Sequence, residues 1–273
     1  MPERDGLKRL DGRTIGLIGA GAIGGAVIDR LLAVGMKPTA IVACETREER
    51  RRELTGRHGL RMTAAPTDAA AADVVILAVP PAAMTAVLDA VRDVITGGRV
   101  VVSFAGAVPL AYIEGRLAPG TPVVRVNPNS PSLVGEGFNP VTYGRHATGV
   151  ARDLADAFLA LLGESPVIAD AQMNAYTAIT AVGPTYFLPV FDALIAVAME
   201  AGLDRRAAVE AAVATARGTA GLVARRPEAP AQLKLITGLR PLKDEAVADL
   251  VREAARAALA RMDDVQRGFS QGS

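Results

Sequence analysis

The residues with the clearest chemical signature are three glycines near the start of the chain. Gly19, Gly21 and Gly24 form a Gly-x-Gly-x-x-Gly pattern. The apolar run 15–18 precedes them and predicts a buried strand, and residues 26–32 follow with helical spacing. A strand, a glycine turn and a helix in this order predict a site that binds a dinucleotide.

Each glycine in this pattern has a separate physical role. Gly19 permits the tight turn, Gly21 lets the backbone approach a pyrophosphate, and Gly24 lets the helix pack closely on the strand. The phosphates then lie against the free N–H groups at the start of the helix. We therefore predict that the cofactor contacts Gly19, Ala20, Gly21, Ala22, Ile23 and Gly24.

The residues after the second predicted strand, 39–43, bear on the choice between NAD and NADP. Glu45 lies where a carboxylate accepts hydrogen bonds from the adenosine ribose, which favours NAD. Thr46 and Arg47 follow directly, and an arginine there can hold a 2′-phosphate instead. The arginines at 50–52 either add to that site or form a solvent-facing helix surface. The pattern predicts NAD(P)H with a slight preference for NADH.

Three further apolar segments, 74–78, 100–104 and 123–126, predict strands of a parallel sheet that is buried on both faces. Ligands bind beyond the carboxyl ends of such strands. The residues at these ends are small, polar or proline, which leaves room for a flat ring, although each turn alone has ordinary turn chemistry. We predict that the cofactor is bordered by Ala78, Val79, Pro80, Ala105, Gly106, Asn127, Pro128 and Asn129.

The second half of the chain has a purely helical pattern. Residues 175–201 are almost uniformly apolar and include only two charges, Asp192 and Glu200. Their length suits a membrane span, but Pro184, Pro189 and the mid-segment Asp192 argue against one. A helix that is apolar on every side is buried on every side, and a domain of about 100 residues has little room to bury it alone. We therefore predict a homodimer or a higher homo-oligomer.

The change of pattern after residue 168 divides the chain into two predicted domains. Residues 1–168 are expected to form an α/β domain with a Rossmann-type, doubly wound parallel sheet. Residues 169–273 are expected to form an all-α dimerisation domain. Within it, Gly202 should end one helix and Asp204 should cap the next.

The composition weighs against several classes of protein. Half of the 273 residues are hydrophobic and the net charge is +1, so nothing favours binding to nucleic acid or to a membrane surface. A single cysteine, Cys44, excludes an internal disulfide, and the polar N-terminal segment lacks the apolar region of a signal peptide. Both features favour the cytoplasm. His58 and His146 are isolated from other ligand residues, so no metal site is predicted.

Several longer motifs resemble the pyrroline-5-carboxylate reductase family over nearly the whole chain. The most specific are the Pro-Asn…Val-Gly-Glu-Gly loop within residues 125–137 and the Gly-Pro-x-Tyr sequence at 183–186. The other matching stretches are the segment 15–24, Leu77-Ala78-Val79-x-Pro81, Val102-Ser103 with Gly106, Thr177-Ala178-Ile179, and Pro230-Ala231-Gln232-Leu233-Lys234.

The resemblance implies an activity and a set of roles. In this family, hydride passes from a reduced nicotinamide to the C=N carbon of a cyclic imino acid. The second domain is an all-helical dimerisation domain whose helices close the active site of the partner chain. The resemblance also implies that Pro128 and Asn129 border the nicotinamide. Thr177 and Thr180 are candidates for polarising the substrate or relaying a proton, or else are capping or core residues.

The chain departs from the family pattern in the segment that should hold the substrate. The family has a glycine-containing loop there, whose backbone N–H groups bind the substrate carboxylate, whereas this chain has residues 235–243 without the glycine pair. Thr237, Arg240 and Lys243 are therefore candidate substrate-binding residues, and the two cations can replace the lost N–H groups. Alternatively, both cations face solvent at the start of a helix. Smaller departures are Pro80 in place of a lysine and Val182 in place of a serine.

These observations predict an NAD(P)H-dependent reductase that acts on a small cyclic imino acid or a related anionic imine. Hydride transfer depends mainly on placing the ring and the substrate, so the lack of an obvious basic residue is no objection. Two alternatives stay open. In the first alternative, the chain acts on a C=O or CH–OH group of a different small anionic substrate. In the second, it binds a dinucleotide without catalysis.

Overall fold

A computed structural model describes residues 2–96, 98–236 and 242–271. By compactness the chain divides into two units. The first contains the residues up to 182 together with those from 256 onward, and the second contains residues 183–255. The domain boundary at residue 168 stays a prediction, because compactness groups residues 169–182 with the first unit.

Among the described residues, the first unit contains nine strands. They are β1 Ile15–Ile18, β2 Ile41–Cys44, β3 Arg61–Thr63, β4 Val74–Leu77, β5 Val100–Ser103, β6 Val123–Val126, β7 Gly137–Phe138, β8 Val141–Tyr143 and β9 Gly163–Glu164. Seven form one sheet in the order β3-β2-β1-β4-β5-β6-β8, in which only β8 is antiparallel. The order reverses between β1 and β4, so the topological switch point lies at their carboxyl ends.

Helices cover both faces of this sheet. The α-helices of the first unit are α1 Pro2–Arg9, α2 Ala22–Ala33, α3 Glu48–His58, α4 Pro66–Ala70, α5 Pro81–Val91, α6 Leu110–Arg116, α7 Gly149–Leu159 and α8 Met173–Tyr176. Single turns of 3₁₀-helix lie at Pro38–Ala40, Ser130–Val134 and Asp170–Gln172, and a π-helical turn spans Thr177–Ala181.

Successive strand residues enter two different apolar layers. Leu17 of β1 packs in the layer formed with α2 and α7, where Ile28 and Phe158 are also buried. Ile18, the next residue of β1, packs in the opposite layer, where Met84 of α5 is fully buried. This alternation produces helix layers on both sides of the sheet and confirms the predicted α/β fold class.

Some predicted boundaries are wrong. The strand predicted at 39–43 begins at Ile41, because Pro38 starts a 3₁₀ turn instead. The residues at 166–168 have the pattern of a last strand, but they make only one bridge, between Val141 and Val167, while β9 lies earlier and pairs with β7. The sequence pattern also predicts a helix over 149–162, but α7 ends at Leu159.

The second unit contains the helices α9 Pro184–Glu200, α10 Arg205–Arg225 and α11 Pro230–Leu233, and the first part of α12, which spans Asp244–Gln271. Gly202 has φ +99 after α9, and Asp204 Oδ1 accepts a hydrogen bond from the Ala207 N–H at 2.8 Å. These contacts confirm the predicted helix stop and cap.

The apolar side chains of α9 are exposed in the single chain. None of its residues is buried, and Phe187 is 64% exposed. The stretch 170–200 is long and apolar enough to cross a membrane by length and composition alone, and it is the single such stretch among the residues that the structure describes. One such helix is weak evidence for a membrane, because a face that binds another protein chain has the same character.

Candidate functional site

The glycine turn, residues 19–24, is fixed between the ends of β2 and β4. The N–H groups of Gly19 and Ala20 donate to the Cys44 carbonyl oxygen at 2.9 and 3.2 Å. Gly19 has φ +100, and a Cβ atom there would lie 2.6 Å from the Ala78 carbonyl oxygen. Only glycine fits this position without displacing the neighbouring strand, so Gly19 makes the predicted tight turn.

The other two glycines of the pattern have opposite surroundings. A Cβ atom at Gly24 would overlap the Gly19 carbonyl and lie 2.9 Å from Leu17 Cδ2, so α2 packs on β1 because Gly24 has no side chain. A Cβ atom at Gly21 would meet no atom within 4 Å. The space beside Gly21 at the start of α2 is therefore open, which fits a bound pyrophosphate. Ala22 and Ile23 are exposed beside it.

Glu45 follows β2 and is only 7% exposed. Its Oε1 accepts hydrogen bonds from Arg47 N at 3.0 Å and Arg47 Nε at 3.1 Å, and its Oε2 accepts one from Arg47 Nη2 at 3.2 Å. Burial raises the pKa of Glu45, but the Arg47 hydrogen bonds outweigh burial and hold that pKa below its ordinary value of 4.5. Glu45 is therefore an ionised carboxylate at neutral pH. Thr46 and Arg47 are exposed next to it.

The arginines that follow are already engaged with other groups. Arg50 donates from Nε to the Ala20 carbonyl oxygen at 3.2 Å and from Nη1 to Glu53 at 2.6 Å. Arg51 Nη1 donates to the carbonyl oxygens of Glu45 and Thr46, at 2.8 and 2.7 Å. The next arginine, at position 52, pairs with a glutamate one helical turn earlier.

Cys44 lies at the end of β2, behind the glycine turn, and is buried. Burial, together with the nearby charges of Glu45 and Asp68, raises the pKa of its thiol to about 11. The thiol therefore stays protonated and unreactive at neutral pH.

The carboxyl ends of β5 and β6 meet at Gly106 and Asn127. A Cβ atom at Gly106 would lie 2.7 Å from Asn127 Cγ, so the amide packs directly on the glycine backbone. Asn127 Nδ2 donates to Thr177 Oγ1 at 2.7 Å, and that hydroxyl donates to the Met173 carbonyl oxygen at 2.8 Å. Thr177 is buried and both donates and accepts, so its geometry suits holding Asn127 in place.

Asn129 makes a second connection to the same π-helical turn. Its Nδ2 donates to the Thr180 carbonyl oxygen at 3.2 Å, and its Oδ1 accepts from the Phe138 N–H at 3.2 Å. The Thr180 hydroxyl donates to the Tyr176 carbonyl oxygen at 2.9 Å and is only partly buried. Phe138 and Tyr176 stack beside this connection, with ring centroids 6.5 Å apart. Turns of this π-helical type occur frequently at functional sites.

Sequence reasoning missed Arg125, which lies on β6 and is 0% exposed. Its Nη1 donates to Asp170 Oδ1 at 2.6 Å, and its Nη2 donates to the Gly106 carbonyl oxygen. Burial lowers the pKa of Arg125, and the attraction of Asp170 partly offsets that shift. Arg125 therefore supports the backbone at Gly106 from within the core. A charge inside an otherwise apolar strand was the available signal.

The structure brings together two groups of the predicted cofactor residues. Ala78 and Val79 lie against Gly19, with Pro80 exposed at the start of α5. Ala105 and Pro128 are buried beside Gly106 and Asn127 in the chain. Among the predicted substrate residues, Lys243 is exposed just before α12. Thr237 and Arg240 lie outside the described residues.

The fold and the glycine turn define an oxidoreductase that uses NAD(P). Residues 14–106 match the family described as NADP oxidoreductase coenzyme F420-dependent, and residues 170–265 match the family described as pyrroline-5-carboxylate reductase dimerisation. A pyrroline-5-carboxylate reductase of Corynebacterium melassecola is 32% identical over 92% of this chain and 98% of the relative. One of Methanosarcina acetivorans is 31% identical over 82% and 84%. The chain belongs to the pyrroline-5-carboxylate reductase family.

Solved structures have the same fold. The pyrroline carboxylate reductase of Plasmodium falciparum, determined with NADP bound, superposes with a TM-score of 0.79 at 20% identity and covers 93% of this chain and 98% of that one. The pyrroline-5-carboxylate reductase of Coxiella burnetii gives a TM-score of 0.72 at 23% identity, with the same coverage. The chain is thus an NAD(P)-dependent oxidoreductase of this type, with a Rossmann-type domain and a helical dimerisation domain.

Proposed function

We propose that the chain reduces the C=N bond of a small cyclic imino acid, with pyrroline-5-carboxylate as the first substrate to test. The observation that carries this proposal is the connected group at the carboxyl edge of the sheet. There, Gly106 packs on Asn127, and Asn127 is held by Thr177 of the helical segment. This connection joins the strand ends that border a cofactor to the family's dimerisation region.

Different residues of the chain bind the pyrophosphate and the nicotinamide of NAD(P)H. The open side of Gly21 and the first N–H groups of α2 bind the pyrophosphate. Gly106, Asn127 and Asn129 border the nicotinamide, which supplies the hydride when the cofactor is bound. Thr177 positions Asn127, while the partly exposed Thr180 hydroxyl is the better placed of the two threonines to meet a substrate.

Oxidation of NADH and NADPH should be measured with pyrroline-5-carboxylate, other cyclic imines and small keto acids. Turnover of the imines supports the proposal. Turnover of keto acids alone, or binding of NADH without turnover of any compound, contradicts it in favour of the alternatives. Gly21→Val should abolish cofactor binding, because the new side chain fills the space for the pyrophosphate. Gly115→Val, at another glycine with no atom within 4 Å of its Cβ position, is the matched control.

The cofactor preference proposed for the chain is NADH. Glu45 is ionised and would repel a 2′-phosphate while accepting from ribose hydroxyls. The nearby arginines each have a partner in the chain, and the carboxylate of Glu45 offsets the charge of Arg47, which weakens the attraction of this segment for a 2′-phosphate. This pattern supports NADH over NADPH.

We further propose a homodimer formed by the helical region and located in the cytoplasm. The exposed apolar face of α9 and the match of residues 170–265 to the dimerisation family support a second copy as the group that covers this face.

The anionic end of the substrate would be bound by Arg240 with Lys243 in support. Lys243 is exposed, so its ammonium is free of burial.

A further inference from the structure

Arg30 is a buried cation on α2, the helix that begins at the glycine turn. It is 9% exposed, and a charge so buried needs partners. Its Nε donates to the Leu161 carbonyl oxygen at 2.8 Å, and its Nη2 donates to Glu3 Oε2 at 2.6 Å. The guanidinium therefore joins α2 to the turn after α7 and to α1.

The same guanidinium lies directly against Gly135. This glycine has φ +76, and a Cβ atom there would lie 2.9 Å from Arg30 Cζ. The absence of a side chain at Gly135 therefore lets the backbone rest on the cation. The N–H of Gly137 donates to the Leu162 carbonyl oxygen at 2.9 Å, so neighbouring carbonyl groups hold both the arginine and the backbone next to it.

Gly135 belongs to a compact loop, residues 129–138, that begins at Asn129. The Ser132 N–H donates to the Asn129 carbonyl oxygen at 3.0 Å, and the Phe138 N–H donates to Asn129 Oδ1 at 3.2 Å. Hydrogen bonds thus tie both the first turn of the loop and its last residue to Asn129. A displacement at Gly135 is transmitted to Asn129 because the loop between them is short and internally bonded.

We propose that Arg30 is a positioning residue that clamps the 129–138 loop to α2. The start of α2 meets the pyrophosphate, and Asn129 meets the nicotinamide, so the clamp sets the distance between the two ends of the cofactor site. This inference rests on the proposed function, because it takes Asn129 to border the nicotinamide. Arg30 itself touches neither cofactor nor substrate.

Gly135→Ala tests the clamp, and Gly59→Ala is its matched control. Both glycines have positive φ, +76 and +67, so both substitutions strain the backbone alike, but a Cβ atom at Gly59 meets no atom within 4 Å. Gly135→Ala should lower kcat about 10- to 100-fold, as a misplacement of about 1 Å does, with the Kd for NADH changed less than about twofold. Gly59→Ala should leave both quantities at their native values.

Arg30→Met separates positioning from a general loss of stability. It should lower kcat as Gly135→Ala does, and the double variant should lose little more, because the guanidinium no longer opposes the new Cβ atom. Glu3→Gln keeps the guanidinium and its bond to Leu161, so it should keep the native kcat. Native kcat in Gly135→Ala and Arg30→Met overturns the proposal.

Amide hydrogen exchange gives a readout that does not depend on any substrate. NADH should slow exchange across residues 129–138 in the native protein and should fail to do so in Arg30→Met. If the native protein binds NADH but reduces no imine, the proposed function fails, while the exchange comparison still decides the clamp. Equal protection of this loop by NADH in the two proteins overturns the clamp.

Discussion

The sheet-containing unit and the helical unit differ in how much of their apolar surface a single chain buries. In the first, central strand residues such as Leu17 and Leu77 are fully buried, and the buried guanidinium groups of Arg30 and Arg125 have partners within the unit. In the second, large apolar side chains such as Phe187 and Leu250 remain exposed. The first unit therefore buries its own core, whereas the second exposes an apolar surface of the kind that binds another protein chain.

The same contrast holds for the chemistry. The parts assigned to the cofactor have fixed geometry in the first unit, from the glycine turn to Asn129. The parts assigned to the substrate's anionic end lie in the segment 237–243, where the chain departs from the family pattern. Cofactor binding and substrate choice should therefore respond to different substitutions.

The largest expected effect comes from a charge on the apolar face of α9. Leu194→Asp should raise the dimer dissociation constant at least about 1,000-fold, or about 4 kcal/mol, because symmetry buries the unpaired charge twice. Leu194 is 51% exposed in one chain, and Val150 on α7 is similarly exposed at 66%. Val150→Asp should therefore leave the dissociation constant unchanged. Sedimentation equilibrium measures both, and a native protein that is monomeric at micromolar concentration contradicts the dimer.

Arg240→Ala tests the substrate half of the contrast. It should raise KM for the imino acid by a factor that corresponds to about 2–4 kcal/mol, because the anionic group of the substrate loses its charged partner. The Kd for NADH should be unchanged. Arg240→Lys should recover part of the loss, since a point charge lacks the two-pronged geometry of a guanidinium. Arg226→Ala, which removes a partner of Glu228, is the control. A native KM in Arg240→Ala would place the anchor elsewhere.

Asp170→Asn tests how far the first unit depends on its buried charge. The substitution should lower the free energy of unfolding by about 1–3 kcal/mol, because the fully buried guanidinium of Arg125 loses its charged acceptor. Asp153→Asn removes the exposed partner of Arg9 and should change stability by less than about 1 kcal/mol. Urea titration with an unchanged slope measures both. Equal stabilities of the two variants would show that Arg125 finds another partner.

Glu45→Gln should have the smallest effect and bears only on cofactor choice. The ratio of the Kd values for NADPH and NADH should shift about tenfold towards NADPH, or about 1.4 kcal/mol. Glu53→Gln, which removes the negative charge that faces Arg50, should not shift this ratio. Native binding that favours NADPH tenfold would contradict the proposed preference.

The pH dependence of the same ratio follows from the lowered pKa of Glu45. A carboxylate whose folded pKa lies below 4.5 keeps its charge above that value and loses it as the pH falls through the lowered pKa. The charge on Glu45 should therefore be constant from about pH 8 to about pH 5, and a change of the ratio over this range comes from the 2′-phosphate of NADPH, whose second pKa is about 6. The Glu45→Gln variant has no carboxylate here, so its ratio should differ least from the native ratio at low pH, where Glu45 loses its charge.

Features with a strong local period or a special residue were predictable from the sequence. The glycine turn, the buried strand 123–126 and the cap at Asp204 occur where their residues place them, because each depends on a few neighbours. Short elements such as α4 and β3 were missed, since three to five residues carry too little periodicity.

Long-range contacts account for most of what could not be predicted in the candidate site. Nothing local to Arg30 indicates that it meets Gly135, and nothing local to Arg125 indicates Asp170 as its partner. The π-helical turn at Thr177–Ala181 was predicted as regular helix, because the hydrogen bonds from Asn127 and Asn129 come from elsewhere in the chain. The site is thus determined by the sequence through its tertiary contacts.

Because Cys44 is buried, the chain is well suited to distance measurements between spin labels. Because it is the sole cysteine and its thiol stays protonated behind the glycine turn, maleimide or nitroxide reagents at neutral pH should react only with cysteines introduced on the surface. Spin labels placed on α9 or in the 237–243 segment would then report separations between subunits without removal of a native residue.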